Sequence, residues 1–141
     1  MDPNATQPAS SIPPTSHQPA TPVASGVGAL PTAPAVPHLR RLYDLAYGRE
    51  GDKGNIANVS VIARSPAAYA ELKEKITPER VKAHLGSLVR GRVDRYTLDN
   101  IEALNFVLHD ALDGGATRSL RLDSLGKSLA GALLHLPVDE E

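Results

Sequence analysis

The residues best suited to chemistry are gathered in one short span, Gly48-Arg49-Glu50-Gly51-Asp52-Lys53-Gly54-Asn55. Asp52 is a carboxylate able to take or give a proton, Lys53 and Arg49 are cations suited to an oxyanion or carboxylate, and Asn55 adds an amide. Gly51 and Gly54 let the backbone adopt conformations closed to other residues and let a second group come close. A second span, Gly114-Gly115-Ala116-Thr117-Arg118-Ser119, repeats the combination. Its paired glycines can form a nest of N–H groups for an anion, with Thr117, Arg118 and Ser119 adding side-chain donors. Both spans also have a plainer explanation. An Asp-Lys pair beside glycines commonly fixes a turn, and a Gly-Gly pair after an aspartate is an ordinary loop.

Other familiar chemistries are missing from the sequence. The chain has no cysteine, which removes disulfides, thiolate metal sites and a cysteine nucleophile. Its five histidines form no HExxH or other close pair, so no metal site is expected. No Walker loop, dinucleotide fingerprint or Gly-x-Ser-x-Gly elbow occurs, and no cofactor is expected. His109-Asp110 is a suggestive neighbour pair, but adjacent strand residues face opposite ways. His84 reads as a partly exposed helical histidine without a partner.

Several elements must position the two spans. Arg40 to Tyr47 reads as a strand, and Ile56 to Arg64 as a second one, with Val59, Val61 and Ala63 on one side and Asn58, Ser60 and Ile62 on the other. The span from Gly48 to Asn55 is then a long polar loop joining them. Ser65-Pro66 and Thr77-Pro78-Glu79 are two helix starts, each a capping hydroxyl followed by proline. Tyr69, Leu72 and Ile76 give the first helix its apolar stripe; Val81, Leu85 and Leu88 give the second. Arg92 to Leu98 and Ile101 to Leu108 follow as strands joined at Asp99-Asn100. The latter is apolar on both faces and belongs in the middle of the sheet. A last helix starts at Asp123, carries Leu125, Leu129, Leu133 and Leu136 inward, and stops at Pro137. If the first and the apolar strand run parallel, the two glycine-bearing spans emerge at the same end of the sheet. The sum is an α+β two-layer sandwich, an antiparallel or mixed sheet with short helices on one face.

Composition divides the chain of 141 residues unequally. Nine of the twelve prolines fall within residues 1–37, where Asp2 is the only charged side chain. This Pro/Ala/Ser/Thr-rich tail is expected to be disordered, with neither the basic region of a secretory signal nor the arginines of a mitochondrial one. The folded domain is expected over residues 38–138, and 139–141 as an acidic end. Of the 15 basic and 16 acidic residues, all but Asp2 lie beyond His38, leaving fifteen of each there. That balance argues against a nucleic-acid binder. No apolar run reaches the roughly 20 residues of a membrane span. Cytoplasmic location is the expectation, with homo-oligomerisation left open.

The span Arg41 to Asn58, with Leu104-Asn105-Phe106-Val107-Leu108 and Gly114 to Arg121, resembles the small ferredoxin-fold domain of the acyclic terpene utilisation (AtuA) family. The likeness covers nearly all of residues 38–138, and Gly51-Asp52-Lys53-Gly54 is its most specific mark. In that family the domain occurs at the end of a large protein or as a separate short chain. The resemblance implies a ferredoxin-like fold and a part in degrading acyclic terpenes, such as citronellol and geraniol, through acyl-CoA intermediates. Glu50 departs from the serine often found there. Two readings of function follow. In the favoured one, the chain is an accessory subunit completing an AtuA-like large protein, with Arg49, Gly51, Gly54, Asn55, Asn58, Gly114, Gly115, Thr117, Arg118 and Ser119 binding an acyl-CoA ligand and Asp52 and Lys53 at the reacting centre. In the other, it is a self-sufficient enzyme with Asp52 as general acid or base.

Overall fold

A computed structural model describes residues 39–139; the tail expected over 1–37 and the last two glutamates lie outside the described residues. The elements run α1 (Leu42–Leu45), β1 (Ala46–Lys53), β2 (Ile56–Ala63), α2 (Pro66–Lys75), α3 (Pro78–Leu85), β3 (Val93–Leu98), β4 (Ala103–Leu108) and α4 (Leu129–Leu134). Two short 3-10 turns, Gly86–Leu88 and Asp99–Ile101, lead out of α3 and join β3 to β4. The four strands form a single sheet in the order β1-β2-β4-β3, every neighbour antiparallel. The apolar strand β4 is therefore central, as its composition requires.

Alternation along the strands decides which face is covered. Ala57, Val59 and Val61 of β2 and Leu104, Phe106 and Leu108 of β4 are fully buried. They meet Leu72 and Ile76 at the end of α2, Val81 of α3 and Leu133 of α4 in one core. Each of the valine, leucine, isoleucine and phenylalanine side chains contributes about 1.5 to 3 kcal/mol by leaving water. The alternate residues Asn58, Ser60, Ile62, Asn105 and Val107 occupy the uncovered face and are half-buried. The result is a two-layer α+β sandwich with the helices on one side.

Both proline-led helix starts form as their sequences dictate. Ser65 Oγ accepts from the Ala68 N–H at 3.1 Å and Thr77 Oγ1 from Arg80 N–H at 3.3 Å. His84 has a partner after all: its Nε2 lies 2.9 Å from the Ala132 carbonyl, linking α3 to α4.

Three expectations are corrected. The strand expected over Arg40 to Tyr47 is replaced at Leu42–Leu45 by a short helix, closed when the Asp44 carboxylate accepts the Arg41 N–H at 2.8 Å. The strand instead begins at Ala46 and runs through the glycines to Lys53, so most of the expected polar loop is β1. Gly48 explains how such a sequence packs: a Cβ there would lie 3.1 Å from Leu134 Cδ1 and 3.3 Å from Ala130 Cβ, so its bareness admits α4. Finally, the helix expected from Asp123 is confined to Leu129–Leu134, because Gly126 stands at φ 67° and breaks it. Leu125 is left 38% exposed, and Leu88, expected in the stripe of α3, is 43% exposed on its 3-10 turn.

Candidate functional site

The hairpin β1–β2 closes at Lys53↔Ile56, which leaves only Gly54-Asn55 as its turn. Gly54 at φ 58° occupies the first turn position, where a type II′ turn favours glycine. Register places Arg49, Gly51 and Lys53 opposite Ser60, Asn58 and Ile56 on the uncovered face. Glu50 and Asp52 lie on the helix side, opposite Val59 and Ala57. Asp52 and Lys53 therefore point to opposite faces and do not pair with each other. Asp52 Oδ1 instead accepts from Lys127 Nζ at 3.0 Å, an ion pair to the segment leading into α4.

Asn55 ties the tip of this hairpin to the turn after β4. Its Nδ2 donates to Asp110 Oδ1 at 2.7 Å, and its Oδ1 accepts from Gly114 N–H at 2.8 Å and Leu112 N–H at 3.2 Å. Its backbone carbonyl accepts from Ala111 N–H at 3.0 Å. Gly115, at φ 84°, comes so close that a Cβ would stand 2.3 Å from the Gly54 carbonyl oxygen. The two glycine-bearing spans thus meet at one end of the sheet. Direction explains why: β1 and β4 are both antiparallel to β2, so they run the same way and end together.

The juxtaposition changes what the second span can offer. The Gly114 N–H is taken by Asn55, and the Gly115 N–H donates to the Leu112 carbonyl at 3.0 Å. These amides hold the turn together and do not form an open nest. The backbone N–H groups of Arg118 and Ser119 both turn back to the Gly115 carbonyl, at 3.0 and 2.8 Å. Ser119 Oγ accepts from Arg121 N–H at 3.2 Å. Thr117 and Arg118 are exposed. Among the described residues, Arg49, Lys53 and Arg118 are exposed cations whose side chains make no hydrogen bond or ion pair. Asp52 does not reach Arg118 or Thr117, since it is engaged by Lys127.

Asn58 belongs to a separate cluster on the uncovered face. Its Nδ2 donates to Asn105 Oδ1 at 3.2 Å, and Ser60 Oγ donates to the same oxygen at 2.9 Å. Gly51 makes room for it: a Cβ there would fall 2.6 Å from Asn58 Oδ1. The Asn105 amide oxygen is thus satisfied within the sheet.

Two further pairings carry no signal in the chain order. His109 Nε2 lies 2.8 Å from Asp94 Oδ2 across the β3–β4 pair, not on the neighbouring Asp110. That contact, with Arg92 adding a second, holds the Asp94 carboxyl below the usual aspartate range. Arg90 Nε stands 3.4 Å from Asp110 Oδ2 and the same guanidinium reaches Asp113, so the turn after β4 is braced from outside as well. Among the described residues, no group of three or more His, Cys, Asp or Glu could hold a metal ion, and no helix is long and apolar enough to cross a membrane.

A family model described as the AtuA ferredoxin-like domain matches residues 40–139. Neither a curated protein nor a solved structure matches the chain.

Proposed function

Because the chain belongs to the AtuA ferredoxin-like domain family, we propose that it is an accessory subunit working beside an AtuA-like large protein in the acyl-CoA route of acyclic terpene catabolism, in the cytoplasm. The hairpin tip and the turn after β4 are the end it presents to a shared site. One observation carries this reading: Asn55 locks the two spans into a single preformed end, beside which Lys53 and Arg118 remain cations without partners among the described residues. Charges left unpaired by the described residues are available to the phosphates or carboxylate of an acyl-CoA, or to a carboxylate on a partner. Arg49 adds a third such cation along the same strand as Lys53. Gly51, Gly54 and Gly115 serve by letting the backbone and side chains approach, and Thr117 and Ser119 border the same end.

Asp52 favours this reading over independent catalysis. Its carboxylate is held by Lys127 on the helix side of the sheet, turned away from Lys53, and so is placed as a fixed charge. The test is co-expression with an AtuA-like large chain. The two proteins should co-elute, and acyl-CoA turnover should need both. Robust turnover of an acyl-CoA by the isolated chain would reject the accessory reading.

A further inference from the structure

The segment after the turn reverses the usual order of inside and outside. Leu120 and Leu122 are 99% and 107% exposed, while Arg121 between them turns inward. Its Nη1 donates to the Ala111 carbonyl at 2.8 Å and lies 3.4 Å from the Leu88 carbonyl. Single exposed leucines are common on soluble proteins and call for no explanation. Here a guanidinium is tied to two backbone carbonyls and holds both neighbouring leucines in water. Leu88, whose carbonyl it reaches, and Leu125 are themselves 43% and 38% exposed.

We propose that Leu120 and Leu122 are the anchors of a protein–protein contact, seated in an apolar groove of a different chain whose rim carries carboxylates opposite Arg118. Charge selects that occupant. Arg118, two residues before Leu120, has no partner among the described residues, and neither does Lys53 on the hairpin tip that packs against the same turn. A second copy meeting this end face to face would bring the same unpaired cations together, whereas an acidic rim would neutralise them. This deepens the accessory reading, on which it rests, by naming the surface through which the large protein is held. Arg121 is a positioning residue, because it sets the direction of the leucines through the backbone.

The experiment uses the full chain with the AtuA-like large protein as the probe. The double variant Leu120→Ser, Leu122→Ser should bind roughly a hundredfold more weakly or worse, the loss expected when two leucines are no longer buried. Its melting temperature should match the wild type, since both side chains are fully exposed. Arg118→Glu should weaken the complex as well. A wild-type complex that the double variant forms equally well would overturn this contact and leave the accessory role standing. Absence of any wild-type complex would reject the accessory role and this surface with it. Self-association of the wild type, abolished in the double variant, would make a second copy the occupant and also overturn the proposal.

Discussion

At the scale of single residues, Asn55 and Lys53 stand two positions apart and do opposite work. Asn55 satisfies two backbone N–H groups and meets one carboxylate through its side chain alone. Asn55→Ala removes all three contacts and should cost about 2 to 4 kcal/mol. For a domain of this size that is a fall in melting temperature of roughly 10 to 20 °C. Lys53 has no partner among the described residues, so Lys53→Ala should change stability by less than about 0.5 kcal/mol while weakening whatever the tip binds. Thermal melts run beside a binding assay with the large chain distinguish the two. Equal stability losses in both variants would show that Lys53 is structural. The sequence marks both residues as candidates but cannot separate them. Composition reveals a polar, glycine-bearing span, whereas the role of each member depends on Asp110, Leu112 and Gly114, more than fifty positions away.

At the scale of elements, the signals that were legible are those written locally. A hydroxyl, a proline and a helical stripe announce α2 and α3 without reference to the rest of the chain. The apolar content of β4 likewise announces a central strand. The misread element is β1, where Gly48 faces the helix layer and charged residues follow, so its packed face lacks the large apolar residues by which a strand is recognised. Its strand character depends on α4, whose Ala130 and Leu134 fill the space left at Gly48. Gly48→Val should therefore displace α4, a helix of six residues with little stability of its own. The expected cost is about 1 to 3 kcal/mol by overpacking. Amide exchange should quicken in Leu129–Leu134 ahead of the sheet; protection that falls uniformly across the domain would contradict this picture.

At the scale of the whole molecule, the described chain is closed by its two ends. Arg41 and Pro137 form an isolated antiparallel bridge, Leu42 N–H donates to the Leu136 carbonyl at 2.8 Å, and Val138 N–H to the Arg40 carbonyl at 2.9 Å. Arg40 pairs with Glu71 of α2 at 2.8 Å and with Asp139, which Lys75 also meets at 3.1 Å. The expected acidic terminus is thus partly a structural clasp, one that needs partners 64 and 99 residues earlier and has no local signature. The Arg40 guanidinium, then Lys75, holds the Asp139 carboxyl down from 3.8 to about 2, and Glu71 is lowered in the same way. A carboxyl lowered on folding stabilises the protein fully above its unfolded value and loses that contribution as pH falls through the folded one. Melting temperature should therefore fall between about pH 4 and pH 2. Asp139→Asn should flatten that part of the curve, while parallel curves for variant and wild type would show that the clasp does not matter.

The same closure has a consequence for how the domain can be carried. Its first and last described residues leave side by side near the start of β1, while the hairpin tip lies at the other end of that eight-residue strand, roughly 25 Å away. A leash attached at either terminus would pull on the same corner and leave the opposite end unencumbered. Hung from another polypeptide or supplied as a free piece, this unit would show its neighbour the same face, so a gene could be split or joined at that corner without redrawing the contact.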